Sequence, residues 1–275
     1  MNANTRLLVI DPQNDFCDLP PRDCPAGCQP ALPVPGAHAD LRRLARALSA
    51  NPGRIAQLAV TLDTHQHYDV AHPGYWLTGS DAAVAPFTTI TAQAVRDGLF
   101  RTREPEAAGR TLAYLNALEA AGRYELMVWP VHCIEGNWGH QVHDEMQAAI
   151  AWWASEAKRA PLVVQKGRNP YTEHYSALQA EVPMPDDAAT GLNQNLLRWA
   201  GEADALWVAG QASSHCVRAT VEHLLTYLPA GSASRLTLLT DCMSPVAGFE
   251  PQHHAFLDSM DRQGARLASA NDMFA

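Results

Sequence analysis

Cys216, Asp11 and Lys166 have the residue types and placement of an activated-thiol site. Cys216 lies in ALWVAGQASSHCVRATVEHLL, which reads as a buried strand (Ala205 to Ala209), a turn of small residues, and a helix opening near the cysteine. A thiol at a helix N-terminus faces unpaired backbone N–H groups and the positive end of the helix dipole, and both favour thiolate. A cysteine without such surroundings is more often a packed, small apolar residue. Asp11 ends the first apolar run, in LLVIDPQNDF, and Lys166 ends a later one, LVVQK. A carboxylate can take the thiol proton and a cation can hold the thiolate. Three such groups at the ends of three strands therefore suit nucleophilic catalysis.

A second set of residues points to a metal. Asp63 and His65, in LDTHQHYDVAH, are spaced i, i+2, which in extended chain puts both side chains on one face. His132, in WPVHC, ends another apolar run. Asp63, His65 and His132, with open positions, suit one divalent ion, zinc first, with iron or manganese as alternatives. His67 and His72 are further candidates. His72 is preferred because, seven residues beyond His65, it can return across the site after a turn at Tyr68–Ala71. The chain holds 12 histidines, so some clustering is expected by chance; convergence of five strand ends on one crevice is not.

The elements that must position these groups alternate. Strands are predicted at Arg6–Ile10, Ile55–Leu62, Glu125–Trp129, Leu162–Gln165, Ala205–Ala209 and Arg235–Leu239. Helices are predicted at Ala37–Ala50, Ala108–Ala121, Val142–Ala157, Leu192–Ala200, Cys216–Tyr227 and Gln252–Gln263. Wholly apolar strands separated by helices predict an α/β fold: a doubly wound, mainly parallel six-stranded sheet with helices on both faces. One domain spanning 1–275 accommodates them. Two segments break the alternation: Asp18–Pro35 is rich in Pro and Cys and reads as an irregular loop, and Leu77–Glu106 reads as an insertion between strands two and three.

Composition narrows the partners. Of 275 residues, 47% are hydrophobic and 18% charged, which suits a globular protein. A formal net charge of −9 with scattered Lys and Arg argues against nucleic acid and anionic membrane surfaces. No apolar run approaches the roughly 18 residues needed to cross a bilayer. The N-terminus lacks the basic and apolar regions of a signal peptide, which points to the cytoplasm. Six dispersed cysteines do not make a disulfide scaffold. Cys17, Cys24 and Cys28 lack a nearby fourth thiol and make a poor zinc motif, while Cys133 and Cys242 read as packed thiols. Homo-oligomeric association is left open.

These residues resemble the nicotinamidase branch of the isochorismatase-like cysteine hydrolases. The matching pieces, in the family's order, are DPQNDF (Asp11–Phe16), LPVPGA (Leu32–Ala37), DTH (Asp63–His65), WPVHC (Trp129–Cys133), KG followed by EHYSAL (Lys166–Leu178), and SSHCVRAT (Ser213–Thr220). The resemblance implies that Cys216 is the nucleophile, Asp11 the general base and later acid, and Lys166 the group favouring thiolate. It places the metal on Asp63, His65 and His132, where the ion binds the pyridine nitrogen of nicotinamide. It makes Phe16 and Trp129 the aromatic pair around the ring and Tyr175 a pocket wall. It also implies a cis peptide at Gln211–Ala212, with the N–H groups of Ala212 and Cys216 aimed at the oxyanion. The implied reaction is hydrolysis of an amide, nicotinamide first, through a thioester. The alternative is another small amide, such as a carbamoyl or ureido compound.

The sequence departs from the family around the pocket. Leu77–Glu106 lengthens the gap between His65 and His132. IEGNWGHQVH follows WPVHC where the family usually has a Thr-Pro-Gly run, and its Trp138 is expected near the mouth of the pocket. Gln211 replaces the usual aliphatic residue at the cis position.

Overall fold

The computed structural model describes residues 4–275. Ten strands occur among them: β1 (Thr5–Ile10), β2 (Gln57–Asp63), β3 (Trp76–Thr78), β4 (Thr88–Ile90), β5 (Phe100–Thr102), β6 (Leu126–Val128), β7 (Leu162–Lys166), β8 (Ala205–Gly210), β9 (Leu236–Leu239) and β10 (Arg266–Ala268). Six of them form one parallel sheet in the order β10-β9-β8-β1-β2-β7. The α-helices are α1 (Ala37–Ala50), α2 (Ala92–Arg96), α3 (Ala108–Ala121), α4 (Asp144–Ala157), α5 (Gln194–Gly201), α6 (Cys216–Tyr227), α7 (Glu250–Arg262) and α8 (Ala270–Phe274).

Alternation along the strands explains the layers. Leu8 and Ile10 of β1 point into one core with Ala59, Val164, Leu206 and Val208, covered by α5, α6 and α7 through residues such as Trp199, Val221 and Phe256. Leu7 and Val9 point the other way, with Leu58, Val60 and Trp207, under α1, α4 and α8. β1, β2, β8 and β9 thus feed both cores, so their apolar runs are nearly continuous, as expected of a parallel sheet covered on both faces, while the edge strand β7 leaves Val163 and Gln165 exposed.

From β1 the chain builds outward through β2 to β7, then returns to the other side of β1 with β8, β9 and β10. The order reverses between β1 and β8, and at such a reversal a crevice opens beyond the carboxyl ends of the strands. Register aligns those ends: Ile10 pairs with Gly210, and Asp63 with Lys166.

Two strand assignments differ from expectation. The predicted strand Glu125–Trp129 lies outside the main sheet; its core, β6, pairs antiparallel with β4. An apolar run does not name its partner, and here the partner comes from the insertion. The sixth main-sheet strand is instead β10, which sequence reading missed. It is three residues long, at the edge, with Arg266 and Leu267 exposed, so it carries no apolar pattern. The 77–106 stretch is itself structured, holding β4, α2 and β5, with β3 paired to β5. It forms a third apolar cluster of Trp76, Val84 and Ile90 against Tyr114, Leu115 and Leu118 of α3. Asp18–Pro35 is irregular apart from a short 3-10 turn at Pro21–Asp23 and a single bridge from Val34 to Cys17.

Candidate active site

Asp11 follows β1, with its backbone at φ 42°. Thr61 of β2 fixes it: the Thr61 hydroxyl accepts the Asp11 N–H at 3.0 Å and donates to Asp11 Oδ1 at 2.5 Å. Lys166 ends β7, and Cys216 opens α6 after a turn from β8. Gly210, at φ 117°, passes so close to β1 that a Cβ there would lie 2.0 Å from the Ile10 carbonyl oxygen, so only glycine fits at the start of this turn. The Gln211–Ala212 peptide is cis. Among the described residues, the N–H groups of Ala212 and Cys216 donate to no protein acceptor.

The Lys166 ammonium stands at the centre. Nζ lies 3.0 Å from Asp11 Oδ2 and 3.5 Å from Cys216 Sγ, and donates to Asp63 Oδ1 at 2.8 Å and to the His174 carbonyl at 3.0 Å. All four side chains are buried. Burial alone would drive the lysine towards neutrality, but the Asp11 and Asp63 carboxylates outweigh it and hold its pKa well above the ordinary value. Burial raises the Asp11 pKa, with Lys166 opposing.

Asp63 also faces the histidines. Its Oδ2 lies 3.0 Å from His65 Nε2 and 3.4 Å from His132 Nε2. His65 Nδ1 faces Asp69 Oδ2 at 3.0 Å, and His132 Nδ1 faces the Pro130 carbonyl at 2.8 Å. These acceptors put a proton on each Nδ1, so both Nε2 lone pairs converge on a carboxylate oxygen. Such a convergence of acceptors suits a divalent cation. A proton relieves the same crowding: burial opposes charging His65, but Asp63 and Asp69 hold its pKa well above the ordinary value. His72 adds Nε2 at 3.2 Å from His132 Nδ1, with its own Nδ1 donating to the Gln66 carbonyl. Burial pushes His72 down to about 2, so it is neutral and has a lone pair to offer. The ligand atoms of His65, His72 and His132 lie within 4.8 Å of one another. His67 is exposed and lines a separate surface cavity.

No protein-family model matches the chain. It is 32% identical to the nicotinamidase of Escherichia coli over 271 residues, covering 97% of this chain and 95% of that protein. The chain belongs to the nicotinamidase/isochorismatase-like hydrolase family. Its fold is also that of the yeast nicotinamidase bound to the inhibitor nicotinaldehyde (TM-score 0.61, 20% identity, 96% and 99% of the two chains). The Pyrococcus horikoshii pyrazinamidase in complex with zinc shares it too (TM-score 0.53, 17% identity, 97% and 99%). Membership of this family makes the protein a nicotinamidase-like cysteine amidohydrolase.

The pocket is tight, with about 30 Å³ of free room. Phe16, Trp129 and Tyr175 line it with Asp63, Cys216 and Ala212, and the Trp129 indole donates to the Tyr175 hydroxyl at 3.0 Å. Trp138 is elsewhere: its 3-10 turn, Trp138–His140, puts it on two other surface cavities, because Asn14 Nδ2 and Asp15 hold that segment behind the pocket. The insertion contributes Phe87, edge-on to Trp129 at 6.0 Å.

The resting thiol also differs from expectation. Burial raises the Cys216 pKa well above the ordinary value, and the Asp11 and Asp63 carboxylates add to this against Lys166. A helix N-terminus contributes about 1 kcal/mol at most sites, too little to reverse desolvation by a dry pocket. All six cysteines are free.

Sequence reasoning missed three groups here. Asp69, four residues beyond His65, was passed over as a turn residue. Glu173, inside EHYSAL, received no role. It lines the pocket with Oε2 unpaired, and burial lifts it to about 7. His215 was treated as part of the motif only, yet it stands against Trp129, Tyr175 and Phe249. For Glu173 and His215 the available signal is a polar residue two positions or one position before a motif residue; for Asp69 it is the i, i+4 spacing from His65.

No helix among the described residues is long and apolar enough to cross a membrane.

Proposed function

We propose that this protein is a metal-dependent nicotinamidase that hydrolyses nicotinamide to nicotinate and ammonia. One observation carries most of the weight: a buried Lys166 ammonium within 3.5 Å of the Cys216 thiol and paired with both Asp11 and Asp63. The whole chain, 1–275, is taken as one hydrolase domain.

The thiol starts protonated, so Asp11 must take its proton as Cys216 Sγ attacks the amide carbonyl carbon. The raised pKa of Asp11 makes it a stronger base for that transfer. Lys166 balances the negative charge that moves between sulfur and carboxylate. The free N–H groups of Ala212 and Cys216 are suited to hold the tetrahedral oxyanion, and losing one such donor typically costs ~10²–10³ in rate. Asp11 then returns its proton to the amine as the C–N bond breaks, and ammonia leaves a thioester on Cys216. Water attacks the thioester, its proton passes to Asp11, and the carboxylic acid departs as sulfur recovers the proton. Asp63, His65, His132 and His72 are the residues that would hold a divalent ion, zinc first, which would supply an electrophilic anchor for the ring nitrogen. Phe16 and Trp129 would clasp the ring faces, with Tyr175 as a pocket wall.

Ammonia release from nicotinamide tests this. Cys216→Ala should abolish it; full turnover by that variant would overturn the assignment. A second reading has its own support. The pocket leaves only about 30 Å³ of free room, so a small carbamoyl or ureido compound would need less movement of its walls than a ring. A panel of amides decides: rapid cleavage of a linear amide beside negligible nicotinamide turnover favours the second reading.

A further inference from the structure

Free room of about 30 Å³ beside Cys216 is on the scale of one or two water molecules, so a substrate seats there only when the side chains around it give way. A second cavity of about 280 Å³ adjoins it and shares two wall residues, Tyr175 and His215. Three other surface cavities of about 440, 490 and 390 Å³ share none of the pocket's lining. The adjoining cavity has exposed Thr89 and Glu125 at its mouth and buried Tyr175, Ser214 and His215 at its floor. Its floor is therefore the wall of the catalytic pocket.

The chemistry of that cavity selects a class of ligand. Carboxylates face the arginines on its wall: Arg123 meets Glu181 and Glu222, each at 3.2 Å, and Arg218 meets Glu222 at 2.7 Å. With Glu125 at the mouth as well, an ion of either sign would meet both charges, and neither sign dominates the wall. Flat apolar faces are plentiful, from Tyr124 and Phe249, and His215 meets Phe249 edge-on at 4.6 Å. Hydrogen-bonding capacity is spare as well. His215, whose Nδ1 is tied to the Ser214 hydroxyl at 2.9 Å, has no protein partner for Nε2 among the described residues.

We propose that this cavity is a substrate-binding antechamber, which takes a flat, neutral carboxamide and passes it to Cys216 through the His215–Tyr175 partition. It rests on Cys216 being the reactive thiol and not on which amide is cut. The insertion thereby gains a role, because Thr89 of β4 forms part of the mouth.

Narrowing the mouth tests it. Gln252 and Thr89 line the antechamber but not the catalytic pocket. Gln252→Trp and Thr89→Trp are compared with the unaltered protein at one alkaline pH, following Cys216 labelling by peptide mass spectrometry. The probes are iodoacetamide and its N-phenyl derivative, a flat aromatic carboxamide. The N-phenyl reagent should be slowed about tenfold or more, and iodoacetamide much less, as expected for a constricted passage. Nicotinamide turnover should show a raised KM with kcat within about twofold. Labelling by both reagents at the unaltered rate in both variants, with circular dichroism unchanged, overturns the antechamber. Should the unaltered protein label but release no ammonia from nicotinamide, the nicotinamidase assignment falls while the labelling comparison still decides this proposal.

Discussion

Lys166 and Asp63 are register partners on neighbouring parallel strands, and their side chains meet at 2.8 Å between Nζ and Oδ1. Because Asp63 Oδ2 faces His65 and His132, one carboxylate joins the thiol centre to the histidine cluster. Gly167 keeps this junction compact: its φ is 83°, and a Cβ there would meet Asp63 Oδ1 at 3.1 Å. The two halves of the site are therefore electrostatically coupled, and damage on one side should be felt on the other.

Asp63→Asn and His132→Ala should separate the two halves. Both should lose metal, measured by elemental analysis after dialysis. Asp63→Asn also removes one of two carboxylates neutralising a buried ammonium. Breaking such a pair costs on the order of 3–5 kcal/mol, so this variant should also melt well below the unaltered protein. His132→Ala leaves both Lys166 ion pairs standing and should be the milder of the two in denaturation. Retention of full metal content by Asp63→Asn would refute the bridging role.

The sequence made the site more legible than the architecture around it. Asp11, Lys166 and Cys216 could be named because each stands at or just beyond the carboxyl end of a mostly apolar strand, and those ends of a parallel sheet share one edge. His72 could be preferred over His67 because a turn returns it to the cluster, where His67 stays exposed. The short elements were not legible. Leu126–Val128 has the composition of a core strand, but only tertiary contact decides that it pairs with Thr88–Ile90. Arg266–Ala268 has no apolar pattern because one of its edges has no neighbour. The charge state of Cys216 was misjudged for a related reason: local sequence shows the helix N-terminus but not the depth of burial or the two carboxylates brought in from other strands.

That charge state has a measurable signature in the metal-free protein. With its pKa raised above the ordinary 9.0, Cys216 should label with iodoacetamide at a rate still climbing at pH 9, without a plateau near neutrality. Asp11→Asn removes one of the carboxylates that disfavour thiolate. Its labelling profile should move to lower pH while its amidase activity collapses, since the proton acceptor is gone. A plateau at neutral pH in the unaltered protein would contradict this.

Asp69 acts on the cluster through His65. Its Oδ2 takes the Nδ1 proton at 3.0 Å, and its Oδ1 is anchored by the Ala71 N–H at 3.0 Å. Losing such a partner typically weakens metal binding about 10–100-fold by freeing the ring's tautomer and orientation. Asp69→Asn should show that loss in chelator competition, with activity recovering at saturating metal. Unchanged affinity would mean that Pro130, which holds His132, and the packing alone suffice to orient the ligands.

Glu181 supplies a pH dependence of stability away from the thiol. Its carboxylate is buried, with Oε2 3.2 Å from Arg123 and Oε1 unpaired. Burial outweighs the arginine and lifts its pKa from 4.5 to about 7. The unfolded chain releases this proton near 4.5 and the folded one near 7, so between those values the folded state binds more protons. Stability must then fall as pH rises through that window, and level off above it. Glu181→Gln keeps the shape and removes the ionisation, so its denaturation midpoint should decline less between pH 5 and 7. Parallel midpoint curves for the two proteins across this range would show that Glu181 carries its charge in the folded state without penalty, with Arg123 compensating in full.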